Sequence, residues 1–187
     1  MISKVTRWVG VLMFGVVLLG SSTPVKADSG RNEHLFSPLV INAYMPAPAL
    51  DWDARLTQRG AYLIPATVSP GQGYWRLLWA HWYDPEEAAG KHHIFVDVLD
   101  ATDQRQVGIP VIFSWDNDSY TAPTEPKPDE PYAVNFPMYA IAPAYSAHPA
   151  DGAPADAVAG MGLGSLEYPE SAIHTSYGLV WQWTVAR

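Results

Sequence analysis

The stretch YWRLLWAHWYD, residues 74–84, decides the fold class. It is the clearest strand of the chain, in which successive side chains point to opposite faces, and it carries aromatic rings on both of them. The alternation predicts two faces: Trp75, Leu77, Trp79, His81 and Tyr83 on one, and Tyr74, Arg76, Leu78, Ala80 and Trp82 on the other.

Further segments show the same alternation. Residues 92–100 place Ile94, Val96 and Val98 on one face, and a polar turn at 101–104 with a second strand at 109–115 predicts a hairpin. Residues 173–185 form a long alternating run that predicts a central strand. Shorter strand candidates are residues 61–67, 119–122 and 144–148.

Proline leaves little room for long helices, because each mid-helix proline costs about 3 kcal/mol. Short strands joined by proline-rich links predict an all-β fold, an antiparallel β-sandwich. The proline-rich segment TAPTEPKPDEP, residues 121–131, is interpreted as a stiff surface loop inside one domain. As a linker between domains it would leave neither half with an adequate core.

The first 27 residues have the layout of a cleaved secretory signal peptide. Lys4 and Arg7 precede an apolar run from Trp8 to Gly20, which is too short to span a bilayer, and small residues precede a cut after Ala27. We therefore expect a secreted, extracellular protein with no membrane span after cleavage. Residues 28–60 are expected to form an extended N-terminal segment and tether, and residues 61–187 the β-sandwich domain.

Charge and cysteine content exclude several function classes. The chain carries 11 basic and 19 acidic side chains, and removing residues 1–27 takes away three basic ones, so the mature net charge is 8 − 19 = −11. Such a chain repels nucleic acid, whose binding depends on clustered Lys and Arg. The absence of cysteine excludes disulfides, thiolate metal sites and iron–sulfur clusters.

Residues 92–115, HHIFVDVLDATDQRQVGIPVIFSW, followed by Tyr120-Thr121 and Ala144-Tyr145-Ser146, resemble the prealbumin-like, carboxypeptidase-regulatory-like domains of bacterial secreted proteins. Residues 70–100, with GLGS at 162–165 and HTSY at 174–177, look like accessory modules of secreted bacterial enzymes that act on cell walls or polysaccharides. The likeness covers residues 70–187, and the proline-rich segment 121–131 departs from it. It implies an Ig-like or prealbumin-like fold and a non-catalytic binding or presenting role.

Aromatic side chains are the candidate ligand contacts, because flat rings stack on the apolar faces of sugars. Core packing is the alternative for each ring, and residues 35–44 are the expected cover for the second face of the 74–84 strand. Asp and Asn side chains can bind sugar hydroxyls. The predicted ligand-binding residues are Trp75, Trp79, Trp82, Tyr83, Trp115, Asp97 and Asn117.

Metal sites are weaker hypotheses, and no cofactor is expected. Adjacent His92 and His93 face opposite ways in a strand and cannot bind one ion together. His81 with one of them and with Asp97 would suit zinc or copper if the fold brought them together. Asp116 and Asp118 offer oxygen ligands for calcium, but the same residues suit a turn that caps its own backbone.

The sequence therefore predicts a secreted, non-catalytic binding or accessory module, with a glycan or cell-wall polymer as the preferred partner. A cell-surface protein-interaction scaffold is the first alternative, and a small metal-dependent hydrolase or oxidase is the second. No nucleophile elbow of the Gly-x-Ser-x-Gly type supports an enzyme. The sequence sets neither the ligand nor the oligomeric state.

Overall fold

The computed structural model describes residues 49–187, which belong to one compact unit. Within that range no helix has the length and apolar character needed to cross a bilayer. The described elements are β1 (Asp51–Trp52), α1 (Ala54–Gln58), β2 (Tyr62–Ile64), β3 (Gly73–Tyr83), β4 (His93–Leu99), β5 (Pro110–Trp115), β6 (Asp118–Pro123), β7 (Val134–Pro137), β8 (Tyr145–Pro149), β9 (Ala157–Met161) and β10 (Ser176–Val185).

The strands form two packed five-stranded sheets, which confirms the prediction of an all-β sandwich. Sheet A has the order β1-β3-β10-β4-β7, and sheet B has the order β2-β9-β8-β5-β6. β10 lies in the middle of sheet A, so the prediction of a central strand at the end of the chain is confirmed. Most neighbours are antiparallel, but β1 with β3 and β4 with β10 are parallel pairs.

The predicted hairpin between residues 92–100 and 109–115 is wrong. β4 lies in sheet A and β5 in sheet B, so residues 100–109 cross from one sheet to the other. β5 forms its hairpin with β6 instead, with Trp115 opposite Asp118. Local alternation could not distinguish these outcomes, because two apolar strand faces can meet across a core as well as lie side by side in one sheet.

β3 contains a β-bulge that the local alternation did not predict. Trp181 of β10 pairs with Leu77 and Val180 pairs with Trp79, so Leu78 has no pairing partner of its own in β10. An extra residue of this kind reverses the alternation of the strand beyond it. The expectation that Trp75 and Leu77 share a face with Trp79, His81 and Tyr83 is therefore wrong.

The core lies between the inner faces of the two sheets. Ile94, Val96 and Val98 of β4 are fully buried there, as their alternation predicts. Sheet A also contributes Trp75, Leu77, Ala80, Trp82, Tyr177, Leu179 and Trp181, and sheet B contributes Val111, Phe113, Tyr145, Ala147, Val158 and Met161.

The described chain joins the sandwich about ten residues before the expected boundary at residue 61. β1 pairs with β3, and the Asp53 side chain caps α1 by accepting the backbone N–H of Arg55. Leu56 of α1 is completely buried, so this short helix is part of the core. The predicted signal peptide and the predicted cover at 35–44 lie outside the described residues.

The proline-rich segment connects β6 of sheet B to β7 of sheet A. Within it, the Glu125 N–H donates to the Ala133 carbonyl at 3.0 Å, and the Ala133 N–H donates to the Val96 carbonyl at 3.0 Å. It is thus a connection inside one sandwich, as the sequence analysis expected, and it carries the chain onto the outer face of sheet A.

Candidate functional site

The outer face of sheet A, the side turned away from sheet B, carries a set of aromatic rings. β3 contributes Trp79, His81 and Tyr83, and β4 contributes His93 and Phe95. The Trp79 and His81 ring centroids are 5.4 Å apart, as are those of His93 and Phe95. Because the bulge in β3 precedes Trp79, it determines that this part of the strand turns its aromatic rings outward.

Tyr132 fills the centre of this face. Its ring stacks on Phe95 with centroids 5.4 Å apart, and lies 6.5 Å from the Trp79 ring. Gly178 of β10 lies beneath it, where a Cβ atom would come within 2.2 Å of the Tyr132 hydroxyl oxygen. Glycine inside a strand often marks such a close approach, and here it makes room for a tyrosine from a distant loop.

Arg105 holds in place the segment that carries Tyr132. Its guanidinium donates hydrogen bonds to the Lys127 carbonyl and, at 2.9 Å, to the Glu130 carbonyl. It also forms a two-bond ion pair with Asp97, at 2.8 and 3.0 Å. Asp97 is 7% exposed and both its oxygens face Arg105, so the structure gives it a positioning role instead of the predicted contact with ligand hydroxyls.

A cleft of about 330 Å³ opens beside Tyr132. Its walls are the rings of Tyr83, Phe95 and Tyr132, and three charged side chains lie at its margin. Small-molecule sites have volumes of roughly 300–1,000 Å³ and combine apolar walls with a few polar groups. The cleft therefore has room for a small ligand, or for one unit of a polymer. The charged side chains are Glu87, Lys91 and Glu130; Ala88, Pro131 and Ser176 complete the lining.

Two phenol groups meet in the wall of the cleft. The hydroxyl oxygens of Tyr83 and Tyr132 are 2.7 Å apart and share a hydrogen bond. Burial raises the pKa of Tyr132 well above its usual value near 10, and the bond to Tyr83 raises it further. A phenol hydroxyl can both donate and accept, so the two groups can exchange these roles with a ligand.

Two tryptophans predicted to bind a ligand are core residues instead. Trp75 is 4% exposed and Trp82 is 2% exposed. The Trp75 indole packs edge-on against Trp183, and its N–H donates to the Asp151 carboxylate at 3.0 Å. The bulge between these two residues explains why both point inward although their spacing places them on opposite faces of a regular strand.

Trp115 and Asn117 lie away from the outer face of sheet A. Trp115 ends β5 of sheet B and stacks on Phe136, with ring centroids 5.2 Å apart. Asn117 is exposed in the turn between β5 and β6. Of the predicted ligand-binding set, the structure therefore brings together Trp79, Tyr83 and Asp97 on one face.

His81 belongs to a polar cluster beside the cleft. Its Nδ1 lies 3.3 Å from the Asp53 carboxylate, and its Nε2 lies 3.3 Å from the Arg55 guanidinium. Burial alone would raise the pKa of Asp53, but hydrogen bonds from Arg55 and from the backbone lower it below its usual value. Arg55 also donates to Glu87 at 3.1 Å, so the cluster ties the start of α1 to the turn that follows β3.

His92 lies between the rings of His93 and His174. The His92 ring centroid is 4.5 Å from that of His174 and 5.1 Å from that of His93. Burial lowers the pKa of His93, and the nearby charges of His92 and Lys91 lower it further. Among residues 49–187 no three histidine or acidic side chains are arranged to hold a metal ion, so the zinc or copper grouping of His81, His92 and His93 does not form.

Asp116 and Asp118 belong to the tight turn between β5 and β6. Asp116 has a φ of 48°, and the Asp118 carboxylate accepts the backbone N–H of Ser119 at 2.8 Å. This is the self-capping turn that the sequence left open as the alternative to a calcium site.

Sequence reasoning missed several residues that line the cleft or shape it. Phe95 and Lys91 had no distinguishing pattern, and Tyr132 stood at the end of a proline-rich stretch interpreted as a surface loop. The one usable signal was Gly178, a glycine inside an otherwise large-residue strand. It indicated a close approach without saying which side chain approaches.

No family model, curated protein or solved structure matches the chain.

Proposed function

We propose that this protein is a secreted, non-catalytic binding or accessory module that holds a glycan or cell-wall polymer in the cleft beside Tyr132. In this proposal residues 1–27 are its signal peptide. Its sandwich is of the Ig-like or prealbumin-like type that residues 92–115 resemble.

The lining of the cleft carries the proposal. Three aromatic rings surround it, two of them with hydroxyl groups. A sugar ring offers the complementary chemistry, since it has an apolar C–H face on one side and hydroxyl groups at its edge. Aromatic side chains with a polar end suit a ligand that is partly apolar and partly wet.

The size of the cleft favours a small unit over a protein partner. A stable protein interface buries about 800 Å² on each side, whereas nine residues line this cleft. A protein-interaction scaffold is therefore the second hypothesis for the function. The binding experiment separates the two, because a scaffold would not be retained by any polysaccharide.

The test is affinity electrophoresis of the full chain, in its secreted form, through gels that contain cell-wall polymers or soluble polysaccharides. We expect retardation by at least one polymer. Tyr83→Ala, which removes one cleft wall, should weaken binding about tenfold, equivalent to about 1.4 kcal/mol. Tyr62→Ala is the matched control, because Tyr62 is 55% exposed on β2 of the other sheet. Folded protein that no polymer retards would overturn the proposal.

A further inference from the structure

The three charged side chains around the cleft are not equivalent. The Glu87 carboxylate accepts hydrogen bonds from Arg55 at 3.1 Å and from the Asp84 backbone N–H at 3.0 Å. The Glu130 carboxylate lies 3.9 Å from the ammonium of Lys127. Both acidic groups therefore already face a cation of the protein itself.

Lys91 has no such partner among residues 49–187. Its ammonium lies 5.8 Å from the centre of the Phe95 ring, and no carboxylate of the described chain lies within ion-pair distance of it. A cation over an aromatic face is held by about 0.5–1 kcal/mol at exposed sites, so the ammonium can turn toward an anion without giving up a strong bond. This arrangement is notable in a chain with 19 acidic and 11 basic side chains, where carboxylates outnumber cations.

Lys91 is also close enough to the neighbouring imidazole for its charge to act there. Together with burial and His92, it lowers the pKa of His93, and His93 stacks on the Phe95 wall of the cleft. Within this cleft of an acidic protein, the Lys91 ammonium beside Phe95 is therefore the one cation among the lining residues, and it has no carboxylate partner in the described part of the chain.

We infer that the cleft selects an anionic sugar, one that carries a carboxylate or phosphate group, and that Lys91 is the residue that contacts that group. The aromatic walls take the apolar face of the ring, and the unpaired ammonium takes the charge. This inference rests on the proposed function and narrows it to a ligand class, because a neutral polysaccharide would leave the Lys91 charge unpaired in the complex.

The experiment compares acidic polymers with neutral counterparts of the same backbone. The full chain is run against several uronate polymers, against each of them after reduction of the carboxylates to alcohols, and against a phosphodiester-linked sugar polymer. We expect at least one acidic polymer to retard the protein, and we expect its neutral counterpart to bind at least tenfold more weakly. The uronate and phosphodiester arms show which anion is preferred.

Two variants assign the effect to one side chain. Lys91→Met keeps the apolar stem beside Phe95 and removes the charge, so binding to the acidic polymer should fall at least tenfold and lose its sensitivity to salt. Arg76→Met is the matched control, since Arg76 lies on β3, does not line the cleft and loses the same charge, and so should leave the binding unchanged. If neutral and acidic polymers bind equally, or if Lys91→Met binds the acidic polymer as tightly as the unaltered protein, this inference is overturned and the proposed function still stands. Absence of binding to every polymer would overturn both.

Discussion

Replacing Gly178 with alanine tests whether the close packing of Tyr132 on Gly178 organises the outer face of sheet A. The new Cβ atom would lie 2.2 Å from the Tyr132 hydroxyl oxygen and 2.8 Å from a ring carbon of Trp79. Ordinary contacts are about 3.5 Å or longer, so the first contact is too short by about 1.3 Å. Gly178 does not have a positive φ, so the obstacle is space and not backbone conformation.

The size of the effect follows from two opposing contributions. Overpacking of a filled site costs roughly 1–3 kcal/mol, while alanine is favoured over glycine in a strand by about 0.5–1 kcal/mol. We therefore expect Gly178→Ala to lower the free energy of unfolding by about 1 kcal/mol. We also expect it to displace Tyr132, with loss of the cleft wall and of polymer binding. Urea unfolding followed by tryptophan fluorescence measures the first effect, and affinity electrophoresis the second.

A double-mutant cycle with Tyr132→Ala isolates the contact. If the hydroxyl of Tyr132 is the main obstacle, Gly178→Ala should no longer be destabilising in the Tyr132→Ala background, which gives a coupling of at least about 1 kcal/mol. Strictly additive effects of the two substitutions would refute the reasoning, since they would mean that the two positions do not share a clash.

Two further predictions concern the groups around this face. Arg105→Met should lower the free energy of unfolding by about 2–3 kcal/mol, because it leaves the Asp97 carboxylate buried without its partner. The double variant Asp97→Asn with Arg105→Met should recover part of that loss, as measured by urea unfolding. If it recovers none, the assigned ion pair is contradicted. His93 binds a proton less readily in the folded protein than in the unfolded chain, where its pKa is near 6.5, so it favours the folded state fully above that pH and less as the pH falls below it. The free energy of unfolding should therefore decrease from pH 7 to pH 5. His93→Phe keeps a ring beside Phe95 and should weaken this pH dependence. If the free energy of unfolding changes equally with pH in both proteins, His93 is excluded as its source.

Alternation along the chain was enough to predict β3, β4, β5, β8 and β10, but it did not predict β9, whose Val158 and Met161 also lie in the core. Ile94, Val96 and Val98 point inward as their spacing predicts, and β10 is central because an apolar run of that length must be buried on its inner face and flanked by other strands. These properties depend on neighbouring residues in the chain, and so the sequence carries them directly.

Contacts between distant residues decided everything that makes the candidate site. The bulge at Leu78 arises from the register between β3 and β10, and it sends Trp75 and Trp82 into the core while it leaves Tyr83 at the surface. Arg105 holds the segment before Tyr132 through the carbonyls of Lys127 and Glu130, and Tyr132 itself packs against Gly178, more than forty residues further along the chain. A strand pattern shows that side chains alternate, but the pairing of one strand with another determines which of them meet solvent, and therefore which can bind a ligand.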